Sequence, residues 1–219
     1  MDRHSSLPMG PRRVLTAILV LVAVMISTAA IQASSPDGTK LLDDLRRGGY
    51  VIYIRHARTD SSQSDRDRAD LSDCRMQRNL SPEGEVQARR LGAAIEALGI
   101  PVGSVLASPY CRTLQTAQLA FGHVTVTEEL RQDWPEAGRD AAAVAGSLRR
   151  LLGEQPSPGT NTVLVAHGNN MRWAEGFQLA EGEAAIFRPD GNGRSALVAR
   201  LTPEQWLDLS QPNHSPDER

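Results

Sequence analysis

Apolar and polar positions divide most of the chain into short buried segments separated by longer polar or mixed ones. Continuous apolar runs rich in β-branched residues predict strands at residues 50–54, 102–107, 124–127 and 162–166. Helices are predicted between them at residues 40–46, 83–98, 110–120 and 139–152, and another is expected to follow the strand at 162–166. Two further strands at residues 184–187 and 196–201 and a short helix at 203–209 complete the order.

Strands that alternate with helices predict a three-layer α/β/α sandwich with a mostly parallel central sheet. The last two strands are joined by a turn-rich segment, residues 189–193, and predict an antiparallel edge. Serine followed by proline predicts a helix start at Ser81 and again at Ser108. Asn169 or Asn170 is predicted to cap the helix that follows residues 162–166.

The first 33 residues have the pattern of an export sequence rather than of the fold. Three arginines precede an apolar run at residues 14–30, and small residues follow it. Residues 1–33 are therefore predicted to be a secretory signal peptide or an uncleaved N-terminal membrane anchor, and either places the domain in the periplasm or elsewhere outside the cytoplasm. We expect residues 34–47 to form a linker and short helix, 48–209 one domain, and 210–219 a disordered tail.

Composition narrows the classes of partner and cofactor. The 219 residues are 40% hydrophobic with a formal net charge of -2, which suits one globular domain and gives no basic field for nucleic acid. The two cysteines, Cys74 and Cys111, are candidates for a disulfide in an oxidising compartment. His4, His123 and His214 lie far apart, and the sequence has no H-E-x-x-H or C-x-x-C motif, so it implies no metal and no other cofactor.

Two histidines directly follow predicted buried strands. His56 follows residues 50–54 and His167 follows residues 162–166. A single histidine at such a place commonly just ends the strand, but ligands of open α/β sheets bind beyond the carboxyl ends of the strands. Arg55 adjoins His56, and Arg112 lies in the first turn of a predicted helix, where a cation is unfavourable unless an anion lies beside it. Together these four residues predict a phosphate-binding site.

Four short blocks extend this pattern. The first block is Tyr-Ile-Arg-His-Ala at 53–57, and the second is Asn-Leu-Ser-Pro-Glu-Gly at 79–84 followed by Gln87-Ala88. The third is Ala-Ser-Pro at 107–109 followed by Arg112-Thr113 and by Gln-Thr-Ala at 115–117. The fourth is Val-Ala-His-Gly at 165–168. In this order they resemble branch 1 of the histidine phosphatase (phosphoglycerate mutase-like) superfamily, and the resemblance covers roughly residues 50–209. Ala57 stands where many members carry glycine.

The resemblance implies a nucleophilic role for His56 and phosphoryl binding by Arg55, Arg112 and His167. Elementary electrostatics agrees, because neighbouring arginines disfavour the imidazolium and keep a ring nitrogen available for attack. We therefore expect an exported, metal-independent phosphatase that hydrolyses a small phosphorylated substrate, a phosphomonoester, through a phosphohistidine on His56. Exported relatives that act on heptose phosphates of lipopolysaccharide offer an analogy for the substrate. A Ser-His-Asp hydrolase is disfavoured, because no G-x-S-x-G motif occurs.

Two other functions stay open, a protein-phosphohistidine phosphatase and a catalytically silent protein that binds a phosphorylated ligand. The silent alternative is supported by the absence of the usual proton donor. Many relatives place a glutamate where this chain has Gln132, which cannot act as an acid. We favour the neighbouring Asp133, because Trp134 would supply apolar contact that favours the protonated carboxyl. The remaining candidates are Glu128, Glu129, Glu136, Glu181 and Glu183.

Residues 57–80 are long for a connection in a compact domain. They interleave arginines with aspartates, a pattern typical of solvated surface, although a lid whose arginines contact a phosphorylated substrate would look the same. A disulfide between Cys74 and Cys111 would fasten this segment to the helix that carries Arg112.

Overall fold

A computed structural model describes residues 38–66, 70–132 and 140–211 of the chain. Six helices are found there: α1 (Gly38–Arg47), α2 (Pro82–Ala97), α3 (Cys111–Phe121), α4 (Ala141–Leu152), α5 (Gly168–Glu175) and α6 (Pro203–Ser210). The strands of this part are β1 (Val51–Arg55), β2 (Val102–Ala107), β3 (Thr125–Val126), β4 (Asn161–Ala166), β5 (Ala184–Pro189) and β6 (Ser195–Leu201). All these elements belong to one compact unit.

The six strands form one sheet in the order β3-β2-β4-β1-β5-β6. The pairs β2·β3, β2·β4 and β1·β4 are parallel, whereas β5 and β6 add antiparallel pairs at one edge. This confirms the predicted α/β architecture with its mostly parallel sheet and antiparallel edge. It also makes β1 and β4, the strands that precede His56 and His167, direct neighbours.

Apolar side chains on the two faces of the sheet form two separate cores. One face of β1 contributes Ile52 and Ile54 to a core with α1, α2 and α6, in which Trp206 is fully buried. The other face contributes Val51 and Tyr53 to a core with α4 and α5. Because β1 is covered on both faces, a continuous apolar run is the sequence expected for it.

The predicted helix cap at Ser81 is confirmed, because Gly84 N donates to Ser81 Oγ over 3.1 Å. The caps predicted for α3 and α5 are wrong. Helix α3 is capped by Tyr110 rather than Ser108, whose hydroxyl instead lies 2.9 Å from His167 Nε2. Helix α5 is capped by His167, so Asn169 and Asn170 lie inside its first turn. Asn170 donates to Leu130 O over 3.0 Å, which gives its amide a partner outside the helix.

Other boundaries differ by a few residues. Strand β3 has only Thr125 and Val126, and α6 continues to Ser210, which was expected to begin the tail. Arg139, the predicted first residue of α4, and residues 212–219 lie outside the described residues, as does the apolar run 14–30. Within the described ranges, no helix is long and apolar enough to cross a membrane.

Candidate active site

The backbone ladder between β1 and β4 continues to His56, one residue past the end of β1, and places the two histidines together. Arg55 is in register with Ala166, and His56 N donates to Ala166 O over 2.9 Å. The His56 and His167 rings have centroids 5.6 Å apart in an edge-on arrangement. The structure therefore brings together the two histidines that the sequence placed at strand ends.

His56 is held in one tautomer and one orientation. Its side chain is 2% exposed, and Nδ1 lies 2.9 Å from Ala57 O, which can only accept, so Nδ1 carries the proton. Ala57 is itself fixed, because its N–H donates to Thr116 Oγ1 over 3.0 Å. Burial, followed by the charge of Arg112, holds the pKa of His56 well below its usual value. At neutral pH the ring is therefore uncharged and Nε2 has a free lone pair.

His167 is buried against aromatic and hydroxyl groups. Its ring is 1% exposed and meets the Tyr110 ring edge-on, with centroids 4.9 Å apart. Ser108 Oγ lies 2.9 Å from Nε2, and the Tyr53 hydroxyl donates to His167 O over 2.6 Å. Nδ1 is buried and has no hydrogen-bond partner among the described residues. Burial and the Arg112 charge lower the pKa of His167 well below its usual value.

Both predicted arginines lie beside these rings. Arg112 is 1% exposed and its guanidinium carbon stands 4.4 Å from the centroid of the Tyr110 ring. Arg55 Nη1 donates to Leu179 O over 2.8 Å. The Nε atoms of Arg55 and Arg112 are buried without a hydrogen-bond partner among the described residues. Buried N–H groups are costly when unpaired, so a ligand with several acceptor oxygens would be stabilised at this site.

Two carboxylates contact the arginines. Asp65 Oδ1 lies 3.0 Å from Arg112 Nη1, and the Asp65 side chain is only 8% exposed. Glu181 Oε1 lies 3.6 Å from Arg55 Nη2 and 4.0 Å from His56 Nδ1. Thr59 holds Glu181 there, since its hydroxyl donates to the same oxygen over 2.6 Å. The arginines of the site thus already face negative charge.

Described parts of the segment at residues 57–80 are attached to α3 and contact Arg112. A disulfide joins Cys74 to Cys111, with Cα atoms 5.7 Å apart, as the sequence suggested. Gln77 Oε1 accepts from Cys111 N over 2.9 Å and so occupies the start of α3. Arg78 N donates to Asp65 Oδ1 over 3.0 Å. Of its described residues, Asp65 therefore pairs with Arg112, and the charge of Arg78 adds to the burial that lowers the pKa values of both histidines.

The structure does not bring the described candidate proton donors named from the sequence together in one part of the fold. Asp133 and Glu136 lie outside the described residues. Gln132 is buried. Glu183 accepts from Ala180 N and pairs with Arg200. The exposed Glu128 pairs with Arg131, and the half-buried Glu129 pairs with Arg150. Among the described residues no group of three or more His, Cys, Asp or Glu side chains is arranged to hold a metal ion.

Sequence reasoning missed several residues of the site. Ser108 was interpreted only as a helix cap, and Tyr110 and Thr59 carried no signal of their own. Asp65 is one of five aspartates in the mixed-charge segment, and nothing in the local sequence distinguishes it from the others. Long-range contacts decide their roles, so only the three-dimensional structure identifies them.

The fold and site together define an α/β domain with two neutral histidines, the buried Arg112 and the half-buried Arg55 at the carboxyl ends of the parallel strands. Residues 51–139 match the family model for the histidine phosphatase superfamily (branch 1). Over these residues the chain is similar to this superfamily.

Solved structures share the fold at low sequence identity. The protein histidine phosphatase SixA, solved with tungstate, is 20% identical, with a TM-score of 0.50 over 70% of this chain and 97% of that one. Phosphoserine phosphatase from Entamoeba histolytica, solved with 3-phosphoglyceric acid, is 19% identical, with a TM-score of 0.52 over 72% of this chain and 98% of that one. No curated protein matches this chain.

Proposed function

We propose that this protein is a phosphatase that hydrolyses a phosphomonoester through a phosphohistidine intermediate on His56, without a metal. The observation that carries the proposal is the state of His56, buried beside Arg112 with Nδ1 bonded to Ala57 O and Nε2 free. An imidazole in this state can attack phosphorus at neutral pH.

The neighbouring groups have the chemistry that the transfer needs. Arg55 and Arg112 would bind the equatorial oxygens with N–H groups that have no partner among the described residues. Neutral His167 would add a hydrogen bond through a ring N–H. In the first step the Nε2 lone pair forms the N–P bond, while the bond from phosphorus to the leaving oxygen breaks. In the second step water attacks phosphorus, the N–P bond breaks and inorganic phosphate leaves.

The proposal includes export, with residues 1–33 as a signal peptide or uncleaved anchor and residues 48–209 as the phosphatase domain. The Cys74–Cys111 disulfide supports it, because disulfides persist mainly in oxidising compartments. A small phosphorylated compound outside the cytoplasm, rather than a glycolytic intermediate, would then be the substrate. Fractionation of cells that express the full chain tests this part; recovery of the protein in the cytoplasm alone would contradict it.

Activity of the purified protein on p-nitrophenyl phosphate tests the reaction. We expect turnover that a chelator leaves unchanged and that His56→Ala abolishes. The variant His123→Ala changes an exposed histidine of the described part and should keep full activity. Turnover by His56→Ala at the wild-type rate would exclude the mechanism. Phosphate binding without turnover by the wild type would instead favour the silent ligand-binding alternative.

Asp133 is the sequence-based candidate for the proton donor. Asp133→Asn should slow substrates with poor leaving groups far more than p-nitrophenyl phosphate, which departs with little need of a proton. Equal effects on both classes of substrate, or none, would exclude this role.

A further inference from the structure

A second carboxylate, one that the sequence did not single out, has better structural support as the proton donor. General acid catalysis requires a carboxyl group near the leaving oxygen, and Gln132 cannot supply one. Within the described ranges, Asp65 and Glu181 are the carboxylates that form ion pairs with the arginines of the site.

Glu181 is on the wrong side of the nucleophile. Its Oε1 lies 4.0 Å from His56 Nδ1, whereas the free lone pair that attacks phosphorus is on Nε2. In-line transfer places the leaving oxygen on the far side of phosphorus from Nε2. A carboxylate beside Nδ1 is therefore behind the attacking ring and cannot reach that oxygen.

Asp65 is instead attached to the arginine that would bind the phosphoryl group. Its Oδ1 accepts from Arg112 Nη1 and from Arg78 N, both over 3.0 Å. The second oxygen, Oδ2, makes no hydrogen bond with a described residue. Because Arg112 would contact the phosphoryl oxygens, a carboxylate sharing its guanidinium lies beside the transferring group, with one oxygen available to carry a proton.

Contacts around Asp65 fix its backbone, as a catalytic group requires. Arg66 N donates to Met76 O over 2.7 Å, and Gln63 Oε1 accepts from Asn79 N over 3.0 Å. The Cys74–Cys111 disulfide then ties this part of the segment to α3, which carries Arg112. Asp65 and Arg112 are thus held together by covalent and hydrogen-bonded links, not by their charges alone.

We propose that Asp65 is the general acid and base of the reaction, an inference that rests on the proposed function. As the bond from phosphorus to the leaving oxygen breaks, the proton on Asp65 Oδ2 passes to that oxygen and an alcohol leaves. The resulting carboxylate then takes a proton from the water that attacks phosphohistidine, which restores the acid.

The test is the dependence of kcat/KM on the leaving group across a series of aryl phosphates, measured for the wild type and Asp65→Asn. The amide keeps the shape of the side chain, and its oxygen can still accept from Arg112 and Arg78 N. We expect the variant to lose about 100-fold or more on phenyl phosphate but only a few-fold on p-nitrophenyl phosphate. Wild-type-like turnover of the nitrophenyl ester would also show that the variant is folded.

Asp70→Asn is a matched control, because Asp70 is an exposed aspartate of the same segment and should leave the series unchanged. Equal loss across the series in Asp65→Asn would mean a structural role and overturn the inference. A gain in activity would also overturn it, since Asp65 would then merely compete with substrate for Arg112. A leaving-group-dependent loss in Asp133→Asn but not in Asp65→Asn would assign the acid to Asp133. His56→Ala is measured in parallel. If His56 is the nucleophile, this variant is inactive whatever the result for Asp65, so it tests the proposed function separately from the role of Asp65.

Discussion

Acidification should destabilise the folded protein in a pH range where carboxylates hardly titrate. Burial and the charges of Arg112, Arg55 and Arg78 hold the pKa values of His56 and His167 well below the usual value. In the unfolded chain both histidines titrate normally, near a pKa of about 6.5. Below that pH the unfolded state therefore binds more protons than the folded state. The stability contributed by the neutral histidines is complete above about pH 6.5 and is lost as the pH falls towards the folded pKa values.

The magnitude follows from proton uptake by the unfolded state. Between about pH 7.5 and 5.0 each histidine that stays neutral in the folded state lowers the free energy of unfolding by about 2 kcal/mol, so the pair contributes about 4 kcal/mol. Urea denaturation of the disulfide-intact protein at a series of pH values measures this. Each of the variants His56→Asn and His167→Asn should remove about half of the pH dependence, whereas His123→Asn, at an exposed position, should keep all of it. A free energy of unfolding that is constant or rises on acidification would refute the reasoning.

Three further predictions concern stability and phosphoryl binding. The double variant Cys74→Ala/Cys111→Ala should lose about 4 kcal/mol of unfolding free energy, from the chain entropy of a 37-residue separation, and urea denaturation with reductant should reproduce the loss in the wild type. Gly84→Ala should lower the thermal midpoint strongly, because a Cβ there would stand 1.8 Å from Arg58 O. Gly146→Ala, on an open face of α4, should raise the thermal midpoint. Equal shifts of the midpoint in the two variants would contradict the packing. Arg112→Ala should weaken competitive inhibition by inorganic phosphate and lower kcat/KM by about 100-fold or more, while the exposed Arg75→Ala should change neither.

The positions of the strands and of the catalytic candidates were largely predictable from sequence. Strand β1 is buried on both faces, so its apolar run had only one interpretation, and its end fixed the place of His56. The motif blocks then located Arg112 and His167, which the fold brings to the same edge of the sheet. Local sequence carries these features because strand burial and helix starts depend on neighbouring residues.

Features set by long-range contacts were not predictable in the same way. Ser108 has the sequence of a helix cap, but its hydroxyl lies against His167, 59 residues away. The charges of residues 57–80 are typical of solvated surface, yet Asp65 is buried against Arg112, 47 residues away. In both cases the partner lies far away along the chain, so the local sequence gives no sign of it.

The most direct test of the account is detection of the covalent intermediate. The purified protein would be mixed with a radiolabelled phosphoryl donor, quenched rapidly in base, digested and mapped by mass spectrometry. We predict an acid-labile, base-stable label on the peptide that contains His56, formed and lost at rates compatible with turnover, and absent from His56→Ala. Steady turnover with no label on this peptide, or a label on another residue with His56→Ala fully active, would contradict the central claim.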